Sequence, residues 1–101
     1  MLKTKVIDYK INIKHELEDY FKNNIINIFK ENNIKITYNN NMINSLEFIK
    51  NDYTGDEIRF FNKVAKYIDK NSYIIVEGNN NGHITHWKYQ FDGFKCMEID
   101  I

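Results

Sequence analysis

Three histidines, one cysteine and fourteen acidic side chains are the groups with which this chain could do chemistry. His83 and His86 stand three apart. On a helix that spacing could share a metal ion, but Trp87, Tyr89 and Phe91 beside them alternate as a strand does, and strand residues three apart point to opposite faces. The pair therefore reads as two separate histidines rather than a metal site. Cys96 and His86 are the minimum set for a thiol nucleophile with its base. Such a dyad needs a cleft, an orienting third group and an oxyanion donor. A flat hairpin face offers none, so the expectation is a solvent-facing or subunit-covered thiol. Glu16, Glu18 and Asp19 form one acidic group, and Asp52, Asp56 and Glu57 another. Carboxylate pairs serve acid–base catalysis, but both groups fall at helix starts, where the helix dipole already favours negative charge. Gly78 and Gly82 bracket Asn79, Asn80 and Asn81. No Lys-Ser/Thr pair and no helix follows, which makes this a five-residue hairpin loop and not a phosphate cradle. Lys3, Lys5, Lys10 and Lys14 interleave with Tyr9, as in a base-stacking basic surface or in an edge strand kept from aggregating by its charges. The second reading is preferred. Neither a catalytic residue nor a cofactor is expected, and nucleic acid is not the expected partner.

The elements that would position these groups follow from periodicity. Ile7, Tyr9, Ile11 and Ile13 alternate with polar residues, the signature of a half-buried strand. Leu17, Phe21, Ile25, Ile28 and Phe29 then recur at helical spacing, which predicts a helix over residues 13–31 with Asn12 as N-cap and Asn32 and Asn33 as its stop. Ile34, Ile36 and Tyr38 predict a strand and residues 39–41 a turn. Residues 45–50 fit either a strand or a helical turn, and the strand is preferred. Thr54-Gly55-Asp56-Glu57 is a capping-box sequence, opening a helix striped by Ile58, Phe61, Ala65 and Ile68 and closed by Lys70 and Asn71. Strands at residues 73–77 and 83–91 follow, then a last strand carrying Met97, Ile99 and Ile101. The fold class is α+β, with two helices on one face of a mainly antiparallel sheet in the order β-α-β-(β)-α-β-β-β.

Parity at Asp92-Gly93 decides the last hairpin. A two-residue loop would put Glu98 beneath Trp87 on the apolar face, and burying a carboxylate costs about several kcal/mol. A three-residue loop with Gly93 left-handed instead aligns Met97 and Ile99 with Trp87 and Tyr89. That register is expected. It leaves His86, Lys88, Gln90, Cys96, Glu98 and Asp100 on the outer face.

Composition narrows the partner classes. The 101 residues are 43% hydrophobic and 15% aromatic, enough for one domain with one core. Fourteen basic and fourteen acidic side chains cancel to zero net charge, unlike a simple nucleic-acid binder or a DNA mimic. Cys96 is the only cysteine, so no intramolecular disulfide forms and a reducing compartment is expected. Charges within residues 1–10 argue against a signal peptide, and no run reaches the ~20 apolar residues of a membrane span. A cytoplasmic protein, monomer or homodimer, is expected. Abundant Asn, Ile and Lys, no Pro, and single Ala65 and Arg59 residues indicate AT-rich coding. Seven Tyr, seven Phe and one Trp either fill a core poor in Ala and Leu or supply a protein interface, for which Tyr38, Tyr53, Tyr67, Tyr73 and Phe94 are candidates.

The segment Gly82-x4-Trp87-x-Tyr89-x-Phe91-x-Gly93 resembles a hairpin of small phage and mobile-element proteins. With the size and composition, the chain is similar to anti-CRISPR proteins, which bind and block a host nuclease. That resemblance implies a non-enzymatic inhibitor whose partner is another protein, a CRISPR effector nuclease. It assigns no residue roles. From topology, the expected binding residues are His86, Lys88, Gln90, Glu98 and Asp100, with Asn80 in the adjoining loop. An immunity protein against a nuclease toxin and a small Cys/His-dependent enzyme are the alternatives.

Overall fold

The computed structural model describes residues 2–15 and 19–101, so Leu17 of the first helical stripe and the acidic Glu16 and Glu18 lie outside the described residues. In chain order the elements are β1 (Leu2–Lys10), α1 (Asp19–Glu31), β2 (Ile34–Asn39), β3 (Met42–Phe48), α2 (Asp56–Val64), β4 (Tyr73–Asn80), β5 (His83–Phe91) and β6 (Cys96–Asp100). This is the expected α+β class and element order. The strands divide into a four-stranded sheet, β1-β4-β5-β6, and a separate β2–β3 hairpin, antiparallel throughout.

Residues 11–13 are extended, where the sequence predicts a helix start. Asn12 bridges Met42 and Ile13 bridges Ile68. Asn12 donates its N–H to Ser72 Oγ at 3.1 Å and accepts the Asp69 N–H at 2.8 Å, so it is no N-cap. Burial of the β-branched Ile11 and Ile13 at period two holds this stretch against helical winding. Upstream, the pairing of β1 with β4 shifts between Val6 and Asp8. That bulge throws Ile7 out to 47% exposure, although strict alternation would bury it with Ile11.

α1 buries Phe21, Ile25 and Phe29, one face at four-residue spacing, and ends at Asn33, whose φ of 64° is the left-handed conformation Asn tolerates. The β2–β3 turn is two asparagines, Asn40 and Asn41, both with positive φ as a tight hairpin requires. The ambiguous 45–50 segment is strand through Phe48. A register shift opposite Thr37 and Tyr38 lets Ile43 and Leu46, three apart, both face the core.

α2 opens after Gly55, which holds the N-cap position at φ 85°, and the predicted Thr54 and Glu57 pair forms just ahead of it. Thr54 Oγ1 accepts the Asp56 N–H at 3.1 Å while Glu57 accepts the Thr54 hydroxyl and N–H. The helix is shorter than its apolar stripe. It gives way to a 3₁₀ turn at Ala65–Tyr67, and Ile68 is extended and buried against Ile13. Phe61 stands over the sheet, 4.8 Å from the Tyr89 ring and 6.0 Å from Phe91. Phe29 of α1 meets Phe60 edge-on at 5.0 Å, and Phe21 stacks on Tyr67 at 4.0 Å. Both helices thus share one side of the four-stranded sheet, over Ile74, Val76, Trp87, Tyr89 and Phe91.

The two C-terminal hairpins differ from expectation. β4 runs on through Gly78 to Asn80, and Asn81 and Gly82, with φ of 54° and 92°, make a two-residue turn in place of the five-residue loop. Gly78 lies under the Trp87 indole, where a Cβ would stand 2.5 Å from Trp87 Cζ3. β6 pairs with β5 as Phe91↔Cys96, Tyr89↔Glu98 and Trp87↔Asp100, around a four-residue loop. Asp92 sets that length: its Oδ1 accepts the N–H groups of Phe94 and Lys95 at 2.9 and 2.8 Å, with Gly93 at φ 97°. These two N–H bonds hold the Asp92 carboxyl below its ordinary value. The expected odd loop is overturned, and Glu98 and Asp100 face the helix side. The cost feared for that register is absent, because β6 is an edge strand and both carboxylates remain exposed.

Candidate functional site

With Ile74, Val76 and Gly78 of β4 and Trp87, Tyr89 and Phe91 of β5 turned inward, period two sends the intervening residues to the opposite face. No helix covers that face among the described residues. Its rows follow from strand pairing: Lys5, Glu77 and His86; then Asp8, Ile75, Lys88 and Ile99; then Lys10, Tyr73, Gln90 and Met97. Ile84 and Met97 are 44% and 47% exposed, and Ile75 and Ile99 are half-buried. Aliphatic and charged side chains alternate on this surface: Lys88 stands between Ile75 and Ile99, and the Lys5–Glu77–His86 row separates them from Ile84.

The charges are organised by ion pairs. Glu77 lies 3.4 Å from Lys5 Nζ and 3.3 Å from His86 Nε2. Lys5, then the His86 hydrogen bond, hold its carboxyl below the ordinary range, against desolvation that pushes the other way. Tyr73 donates its hydroxyl to Asp8 Oδ2 at 3.1 Å, which raises the phenol above its ordinary value. Gln90 Nε2 donates to the Ser72 and Phe91 carbonyls. Lys88 stands in the middle row between Ile75 and Ile99.

Of the six residues expected to bind, His86, Lys88 and Gln90 share this face, and Asn80 is exposed at the β4 end of the adjoining turn. Glu98 and Asp100 do not join them. They occupy the other side of β6, and Met97 and Ile99 take their place. The signal that could have found these two is the Asp-Gly pair itself, since an Asp side chain that accepts the N–H groups two and three residues on lengthens the loop and reverses the parity.

Cys96 is also corrected: it is buried on the helix side, its N–H donating to Asn62 Oδ1 at 2.8 Å. Burial first, then the charges of Glu98 and Asp92, push its thiol up to about 12. His86 is on the opposite face, so the two do not form a dyad. His83 and His86 likewise diverge. Among the described residues no three His, Cys, Asp or Glu side chains converge as metal ligands. In the second acidic group, Asp52 pairs with Lys3 at 2.5 Å, Asp56 with Arg59 at 3.7 Å, and Glu57 caps α2. A cleft of about 270 Å³ opens between Asn33, Phe48, Thr54 and Phe60.

The aromatic surplus is mostly internal. Tyr67 stacks on Phe21 and Tyr38 donates to Asn41 Oδ1 at 2.8 Å, while Tyr53, itself exposed, meets Trp87 edge-on at 5.8 Å. Phe94 alone of the five candidates is far out, at 84% exposure beneath Lys14. Among the described residues no helix is long and apolar enough to cross a membrane. No protein-family model, curated protein or solved structure matches the chain.

Proposed function

We propose that this chain is a non-enzymatic binding protein, that it docks on another protein through the open face of its four-stranded sheet, and that it acts in the cytoplasm as an inhibitor of a CRISPR effector nuclease. One observation carries the docking surface: among the described residues no helix covers this sheet face, where Ile99 and Met97 lie on β6, Ile75 and Ile84 lie on β4 and β5, and Lys88 and the Lys5–Glu77–His86 row stand among them. Apolar side chains set among charges suit a protein interface, the charges selecting the partner and the apolar area supplying affinity. The rows hold one aromatic ring, Tyr73, whose hydroxyl is tied to Asp8. A face that stacks nucleic-acid bases needs several rings, so a protein partner suits this surface better. The resemblance of residues 82–93 to phage hairpins supports the choice of target.

Cleavage of target DNA by a purified CRISPR effector nuclease tests the proposal. The chain should block cleavage, and Met97→Asp or Lys88→Glu should weaken the block at least about tenfold while leaving stability within about 0.5 kcal/mol, as surface changes do. Cleavage that continues at saturating chain rejects the target. A block undiminished by both substitutions rejects the surface.

A further inference from the structure

The free edge of β6 carries a second surface, independent of the open face. In β6 the Cys96 N–H points away from β5 to Asn62 Oδ1, whereas the Ile101 N–H reaches back to His86 O. Antiparallel alternation then turns the backbone N–H and C=O of Glu98 and Asp100 outward, away from β5. No strand pairs on that side, and Asn62 closes only the Cys96 end. The same two residues hold their carboxylates on the helix side of the edge, and neither has a cationic partner among the described residues. Arg59, on the nearby α2, is paired with Asp56 of its own helix. Beside Glu98, its cross-strand neighbour Tyr89 is fully buried and Trp87 is 7% exposed, yet the Tyr89 hydroxyl and the Trp87 indole N–H have no hydrogen-bond partner.

We infer that the β6 edge accepts an extended segment of a partner as an added antiparallel strand, with arginine or lysine at the positions facing Glu98 and Asp100 and aliphatic residues at those continuing the Met97–Ile99 row. Backbone pairing supplies the register and the alternate side chains the selectivity. An arginine suits the helix side best, because its fork of N–H donors pairs with both oxygens of the exposed Glu98 carboxylate. A second copy of this chain is a poor occupant. Antiparallel pairing of β6 with itself centred on Glu98, or between Glu98 and Asp100, sets acid against acid, and like charges directly opposite are destabilising.

The test uses a capped, tryptophan-free peptide alternating arginine and valine, titrated into the full chain. Trp87, the sole tryptophan and the cross-strand partner of Asp100, reports binding by fluorescence, and amide hydrogen exchange locates it. Saturable binding with protection of the Glu98 and Asp100 amides is expected. N-methylation of the peptide at its pairing positions should weaken binding at least about tenfold, as should the exposed double substitution Glu98→Lys with Asp100→Lys. The N-methylated peptide acts on the unaltered chain and so does not depend on how that variant folds. Binding that is absent, insensitive to N-methylation, or protecting other amides overturns the inference. Self-association that protects the Glu98 and Asp100 amides without peptide overturns it too. The nuclease assay shares no variant with this test, so the two proposals fail separately.

Discussion

Replacing Gly78 with alanine should destabilise this protein, against the usual sign of that change. A glycine inside a strand costs about 0.5–1 kcal/mol relative to alanine, so the substitution ordinarily stabilises. Gly78 is not among the residues with positive φ, and its backbone would accept a side chain. The obstacle is the Trp87 indole. An added Cβ would lie 2.5 Å from Cζ3 and 2.9 Å from Cη2, with Thr85 Oγ1 at 3.0 Å. The indole cannot swing clear, because it is 7% exposed and Tyr53 meets it edge-on. Overpacking of this kind costs about 1–3 kcal/mol, leaving a net loss of up to about 2.5 kcal/mol after the strand gain. In a Trp87→Leu background the two indole contacts vanish and the same substitution should be neutral or slightly favourable. The coupling between the sites is therefore about 2 kcal/mol, well above the scatter expected for independent positions. Urea titration followed by far-ultraviolet circular dichroism measures all four proteins without relying on the tryptophan. An equal effect of Gly78→Ala in both backgrounds, or a stabilised single variant, would refute the packing argument.

Two further predictions follow from the core. Trp87→Ala should cost about 3–5 kcal/mol, as for a large aromatic removed from an interior; a loss below about 1 kcal/mol in the same titration would contradict its burial. Cys96 should resist alkylation in the folded protein and react on unfolding. Because its folded thiol is raised from 9.0 to about 12, the stability it lends is complete below pH 9 and lost as pH rises towards 12. Tyr89, also pushed up by burial, contributes in the same direction. The unfolding midpoint should therefore fall between pH 8 and 11, and less steeply in Cys96→Ala; identical slopes would mean that the thiol ionises as readily folded as unfolded.

Local chemistry was legible wherever it acts over a few residues. The Thr54–Glu57 cap, the Asn33 stop and the strand alternation of Trp87, Tyr89 and Phe91 each depend on groups within a turn or a strand of one another, and all stand where periodicity puts them. The α+β class and the element order rest on the same short-range signals. Tertiary structure decided what depends on pairing across the chain. Asn12 is an ordinary N-cap candidate by type, yet bridges to Met42 and Ser72 keep it extended. Ile68 fits the α2 stripe, yet pairs with Ile13 and ends the helix early.

The candidate site shows the same division. That His86, Lys88 and Gln90 share a face is a property of one strand, and the sequence alone determined it. Which residues of β6 join them depends on a loop length, and period two makes a one-residue change flip every side chain. The four-residue loop closed by Asp92 replaced Glu98 and Asp100 with Met97 and Ile99. The penalty that weighed against this register assumed a fully covered inner face. Only the packed structure decides where cover ends, because a helix buries the strands beneath it and leaves the edge strand's carboxylates to solvent.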